Sequence, residues 1–339
     1  LRSPSPLPPL SGPARPALLG AAALTLLLSA CTPVTEDPAA DPAPEQGPVE
    51  TASLEEPEDI YAFTDPELTE RLHLPLYDYI LDEYEYWTVG RAQNALVVEC
   101  LGELGFEAEA SPSTVGIEAE LTHHGPFHDY RLYGMASVDL AEEYGFETPS
   151  EEGPWPQWTV ADGVDAQMAQ AAADGYDFRG GDIETPSGDP VPEGGCNHQA
   201  NLGISPDSPA PEEGGMWIAG EDGLIPDTPG RHHLADLLAE TAHSTAREDT
   251  EVAAAAEAWK ECVGLSETTV DPEGAPEVLD DEDAVLSAEC LDSTGYPDAF
   301  VDAQTRAQEP LIEEHGDDLA ERKEQLDAEL AAARAVLDW

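Results

Sequence analysis

Four cysteines, Cys100, Cys196, Cys262 and Cys290, lie in the part of the chain rich enough in apolar residues to fold, and no two of them form a C-x-x-C pair. Cysteine-based zinc frames use such pairs. An even set of well-separated cysteines instead points to two disulfides, and so to an oxidising compartment outside the cytosol. Three pairings are possible. Nearest-neighbour pairing is the simplest and gives Cys100–Cys196 and Cys262–Cys290. The second bridge would close a loop of about 29 residues and contribute roughly 3.5 kcal/mol by the chain-entropy account.

The fifth cysteine sits apart. Residues 1–30 carry an early basic region (Arg2, Arg15) and then an apolar run, Ala17 to Ala30. That run is shorter than the roughly 20 residues that span a bilayer, and it reads as a signal peptide. It ends in Leu28-Ser29-Ala30-Cys31, which resembles a bacterial lipobox. The resemblance implies a diacylglyceryl group on the Cys31 sulfur and cleavage before it, so that Cys31 becomes the new N-terminus. The expected location is the outer face of the cytoplasmic membrane, lipid-anchored. Residues 31–58 then form the lipidated cysteine and an acidic Pro/Ala tether that cannot bury a core. Its flexible-coil span is on the order of 29 Å. Residues 59–339 remain as a single folded domain, a mainly α, irregular helical unit with long loops, two disulfides and a long C-terminal helix.

Charge narrows the partners. The chain has 72 acidic residues against 13 basic ones, a formal net charge of −59, and Lys260 and Lys323 are its two lysines. Such a surface repels nucleic acid and anionic headgroups, so DNA and RNA binding are excluded. The expected reading is a solvated acidic coat on an exported protein; the alternative is a diffuse cation-attracting surface.

Helical periodicity dominates the folded part. Residues 66–87 read as helix in pieces, broken at Pro75. Val89, Ala92, Leu96, Cys100 and Leu104 make one stripe, widened by Val97 and Leu101. Gly105 stands where a left-handed stop is required, with Phe106 placed to fold back on Leu101. The ending recurs: Glu99-Cys100-Leu101 then Gly105-Phe106, and Glu289-Cys290-Leu291 then Gly295-Tyr296, at equal spacing. Further helices are expected over Val138–Tyr144, Val164–Ala173, His232–Ala246, from Asp249 to Cys262, and Asp283–Leu291. A last helix begins near Asp298, kinked or split by Pro310, with a stripe of Ile312, Leu319, Leu326, Leu330 and Leu337. Arg179 to Pro229 reads as long loops carrying Cys196, and no run of alternating residues argues for a sheet.

Taken in order, AQNALVVECLGELGF (92–106), SVDLAEEYGF (137–146), GGCNHQA (194–200), DTEVAAAAEAWKECVG (249–264) and LSAECLDSTGY (286–296) resemble a group of secreted lipoproteins of actinobacteria with a four-cysteine, mainly helical mature domain. The resemblance implies a lipid-anchored envelope protein and carries no activity with it. Leu101 and Val263 stand where methionine is frequent in that group, and both are volume-compatible.

Chemistry, if present, belongs to the histidines. His123, His124 and His128 with Asp129 place three imidazoles and a carboxylate in seven residues, donors suited to zinc. The spacing is not H-E-x-x-H, and Gly125-Pro126 prevents one regular helix from presenting them all; the competing reading is a polar loop. His232 and His243 are about 16 Å apart by helical rise, too far for one ion. No nucleophile elbow, P-loop or dinucleotide fingerprint occurs, no cofactor is implied, and no catalytic residue is assigned. The expected role is non-catalytic binding or scaffolding with an envelope protein or cell-wall component as partner. The alternatives are the solute-binding lipoprotein of an importer, which calls for two α/β lobes, and a metal-dependent hydrolase using His123, His124 and His128. One physical consequence is independent of role: screening weakens self-repulsion, so the melting temperature is predicted to rise from low to moderate NaCl. A fall over that range would contradict it.

Overall fold

The helical stripes meet around one long helix. The computed structural model describes residues 59–110, 115–146, 158–177, 181–210 and 225–339; the segments read above as signal peptide, lipobox and tether lie outside them. In chain order the elements are α1 (Pro66–Leu72), α2 (Glu83–Glu103), β1 (Ala108–Ala110), α3 (Val115–His124), α4 (Val138–Tyr144), β2 (Trp158–Val160), α5 (Ala166–Asp174), α6 (Gly195–Ile204), α7 (His233–Ala246), α8 (Thr250–Val263), α9 (Ala284–Thr294) and α10 (Tyr296–Leu337). The mainly α class is as expected. Short 3₁₀ turns fill several connections, one of them at Pro75–Tyr79 where Pro75 separates α1 from α2. β1 and β2 pair antiparallel over three residues each, a small ribbon too short to announce itself by alternation.

Local signals explain the boundaries. Asp82 caps α2 by a capping box with Glu85, and Asp249 caps α8 through the Glu251 N–H. α2 stops as its sequence requires: Gly105 has φ +88°, its N–H donates to the Gly102 carbonyl, and the Phe106 N–H donates back to Leu101. That is a Schellman ending, and Phe106 is buried in the same cluster as Leu101. A Cβ on Gly105 would lie 2.8 Å from the Ser187 nitrogen, so the stop also lets residues 186–187 pack against the helix end. The second copy of the motif uses Gly295 at φ +66°, with Leu291 and Tyr296 buried together.

Both cysteines of these endings are bridged. Cys100 joins Cys196, pinning α2 to α6, and Cys262 joins Cys290, pinning α8 to α9. The Cys196 end corrects the reading of residues 179–229 as loops alone, because residues 195–204 form α6. A glycine pair and a short, weakly patterned run hid it. The pair Gly194-Gly195 has positive φ at both residues, and a Cβ on Gly195 would collide with the backbone of Gly175 at the end of α5. These glycines bring α5 and α6 together rather than mark a loop.

α10 departs from expectation in the opposite sense. It starts at Tyr296 and runs 42 residues without interruption through Pro310. Pro310 lies on the exposed side, where water can satisfy the carbonyl that its missing N–H abandons. The predicted stripe is buried at Leu319, Leu326, Leu330 and Leu337, and Ile312 is partly buried beside Leu76 and Leu238. Leu326, Leu330 and Leu337 pack on Val89 and Ala92 of α2.

A buried ion pair fixes residues 227–231 to this helix. Arg322 Nη1 donates to Glu329 Oε1 at 2.8 Å, and other Arg322 N–H groups donate to the carbonyls of Thr228 and Arg231. Glu329 Oε2 accepts the Gly230 N–H at 2.8 Å. The two side chains are 9% and 4% exposed. Removing one partner strands the other charge, so Arg322→Met is predicted to lower unfolding free energy by about 3–5 kcal/mol, measured by urea denaturation. A loss below about 1 kcal/mol, the range of exposed pairs, would show that the pair adds little.

Candidate functional site

The described residues bring together one mixed carboxylate–imidazole cluster, at the junction of α2 and α3. α3 itself was not legible: Ile117 and Leu121 are its buried apolar positions, too few for a stripe. Once it forms, Glu120 and His124 stand four residues apart on one face. Gly125 then turns the chain at φ +77°, and His128 adopts φ +58°, a left-handed conformation uncommon outside glycine. The turn is anchored: the Glu83 N–H at the first position of α2 donates to the Pro126 carbonyl at 2.8 Å, and the Tyr130 N–H donates to His124. This tie uses one of the orphan donors of the α2 N-terminus and delivers His128 to Glu83.

Four side chains converge. His128 Nε2 lies 2.7 Å from Glu83 Oε2 and 3.3 Å from Glu120 Oε1, and His124 Nε2 lies 4.0 Å from that same Glu120 oxygen. Glu120, His124 and His128 can each present one ligand atom within 4.8 Å of the others. The His124 and His128 rings stack with centroids 5.5 Å apart. Exposure runs from 11% and 10% at the Glu83 and Glu120 side chains to 24% at His124 and 47% at His128, so the acids are interior and one imidazole meets solvent. Glu83 and His128 also share the wall of a cleft of about 150 Å³ with Arg231, His232 and Asp236.

The electrostatics are uneven. Burial pushes the Glu120 carboxyl up, partly offset by His128. Burial, with help from His128, Arg131 and His123, pushes His124 down to about 4, which leaves it a neutral nitrogen donor at neutral pH. Burial opposes the charge on His128 as well, but the hydrogen bond to Glu83 and the charges of Glu83, Glu120 and Asp129 outweigh it and raise that imidazole. Asp129 is fully buried, and burial pushes its carboxyl up to about 7 against the pull of its own amide N–H and of His128.

The structure sorts the sequence-predicted residues. His124 and His128 join the cluster. His123 does not: it is buried edge-on to the Tyr144 ring at 4.2 Å, since consecutive helical residues point about 100° apart. The polar-loop reading of this stretch is corrected for His123 and His124, which end α3. Glu83 and Glu120 were missed. Glu120-x-x-x-His124 was a possible signal, whereas Glu83 is distant in sequence and carried none. His198 is buried in α6 near Cys196, and His243 stacks on Phe300 at 4.9 Å. Cys31 lies outside the described residues. No family model, curated protein or solved structure matches the chain.

The turn is the weak point of the site. A Cβ on Gly125 would lie 2.5 Å from the Tyr130 ring and 2.7 Å from an Asp129 oxygen, in a backbone conformation that already disfavours it. Gly125→Ala is therefore predicted to cost on the order of 1–3 kcal/mol, read as a shifted urea midpoint. An unchanged midpoint would mean that the turn relaxes freely.

Proposed function

We propose that the protein is an exported, lipid-anchored component of a bacterial cell envelope whose folded domain works by binding rather than by catalysis. The observation that supports this reading is the partition of sulfur. Of five cysteines, four are joined in two disulfides within the folded domain, so Cys31 has no intramolecular partner left. Disulfides of this kind persist in oxidising compartments. A cysteine left over directly after a short apolar run is the residue that lipid modification would use, and two acyl chains suffice for stable attachment. No helix among the described residues is long and apolar enough to cross a membrane, so the lipid would carry the attachment. The acidic coat would keep the domain off anionic headgroups at the end of its tether.

Binding is favoured over solute capture by paired α/β lobes because the described residues hold a single two-stranded sheet. The partner in this reading is an envelope protein or a cell-wall component. Cys31→Ser tests the anchor. In the native host the wild-type protein is predicted to pellet with membranes and to carry a mass increment of diacylglyceryl on its N-terminal cysteine. The variant is predicted to leave the membrane fraction while keeping its fold. Equal membrane retention of the two, or an unmodified Cys31 in the wild type, would refute the anchor.

A further inference from the structure

We infer that Glu120, His124 and His128, with Glu83 against His128, form a site for one divalent metal ion of the zinc type. The inference is independent of the lipid anchor and goes beyond the binding role proposed above. Its basis is geometry joined to donor chemistry. Two atoms bound to one tetrahedral ion at about 2.0–2.1 Å stand about 3.3 Å from each other. His128 Nε2 and Glu120 Oε1 are 3.3 Å apart, and His124 Nε2 is 4.0 Å from the same oxygen, so a small rotation of one imidazole completes the set. Glu83 Oε2 lies 2.7 Å from His128 Nε2, outside the three-residue set, and acts on the site through His128, which releases its Nε2 proton when it binds the ion.

A second observation points the same way. The other Glu83 oxygen, Oε1, is buried without a hydrogen-bond partner. A buried carboxylate with a bare oxygen is costly, and a divalent ion beside His128 would add positive charge near it. Two carboxylates would balance the ion's charge, and two imidazoles would select against hard cations such as Mg²⁺ and Ca²⁺, which prefer all-oxygen shells. The exposed edge of His128 and the adjoining cleft supply an entry path.

The experiment uses the full-length protein in detergent, stripped with a chelator and titrated with Zn²⁺ in the presence of millimolar Mg²⁺ to suppress diffuse binding to the acidic surface. One tight equivalent per chain is expected, with a raised melting temperature. His124→Ala should weaken it by roughly 100-fold or more, and Glu83→Gln by about 10–100-fold. Co²⁺ gives a readout that needs no variant: one equivalent should develop the intense visible absorption of a tetrahedral site. Zn²⁺ binding that Mg²⁺ abolishes, binding unchanged in His124→Ala, or a Co²⁺ spectrum matching the hydrated ion would overturn the inference.

Discussion

The fold depends on packing along α10. This helix is too polar to owe its 42 residues to its own apolar face, and helices in proteins draw most of their stability from what they pack against. At its start Phe300 and Val301 enter the largest cluster, with Leu72 of α1 and Trp259 of α8. In its middle Leu319 meets Leu76 and Leu238. Toward its end Leu326, Leu330 and Leu337 cover α2. Its buried polar groups serve the same purpose. The Gln304 carbonyl accepts the Tyr133 hydroxyl, and Gln308 accepts the Leu76 N–H that the start of the 3₁₀ turn at Pro75 would otherwise orphan. Elements distant in sequence are thus held by one helix, and the disulfides add constraint between α2 and α6 and between α8 and α9.

The acid excess shapes this arrangement through the scarcity of cations. With 13 basic residues for 72 acids, most carboxylates have no ion-pair partner and must face water. Several of the described cations tie separate elements together. Arg71 of α1 reaches Asp292 and Asp298, across α9 and α10. Arg306 of α10 holds Asp249, the cap of α8. Pairs as exposed as these contribute little each. Arg322 differs because its surroundings are dry and because it also satisfies two backbone carbonyls. Arg91 differs again: its guanidinium lies 5.0 Å from the Trp87 ring centroid and 5.5 Å from that of Trp339, against aromatic faces rather than only among acids.

What was legible in the sequence follows from which forces act locally. Gly145 closing α4, Asp249 opening α8 and the Schellman ending at Gly105 are written in a few adjacent residues, and the structure has each where the residues require it. The cysteine pairing was also legible, through simple adjacency. α6 was not, because Gly194 and Gly195 read as breakers when their use is close approach to α5. α3 was not, because its burial comes from contact with Tyr84, Trp87 and Ile60 rather than from its own pattern. The continuity of α10 through Pro310 depends on which side of the helix faces solvent, which only packing decides. The cluster shares this fate. Its two histidines stood out in the sequence, but its acids needed α3 to form and the Pro126 carbonyl to find the start of α2.

That dependence explains why the cluster holds the charges it does. Glu83 lies in the first turn of α2, where the helix field favours an anion, and the last turn of α3 favours a cation beside it, although burial keeps His124 itself neutral. The two helix ends meet at the Gly125–His128 turn, so backbone dipoles of opposite sense reinforce a negative group and a positive one a few ångströms apart. His128 fills the positive role with its imidazole, at the expense of a left-handed backbone. A metal ion would fill it with twice the charge. Because the turn is held by main-chain hydrogen bonds at both ends, the acids cannot easily separate to relieve their repulsion. The site therefore keeps a standing demand for a cation between buried carboxylates, whichever cation meets it.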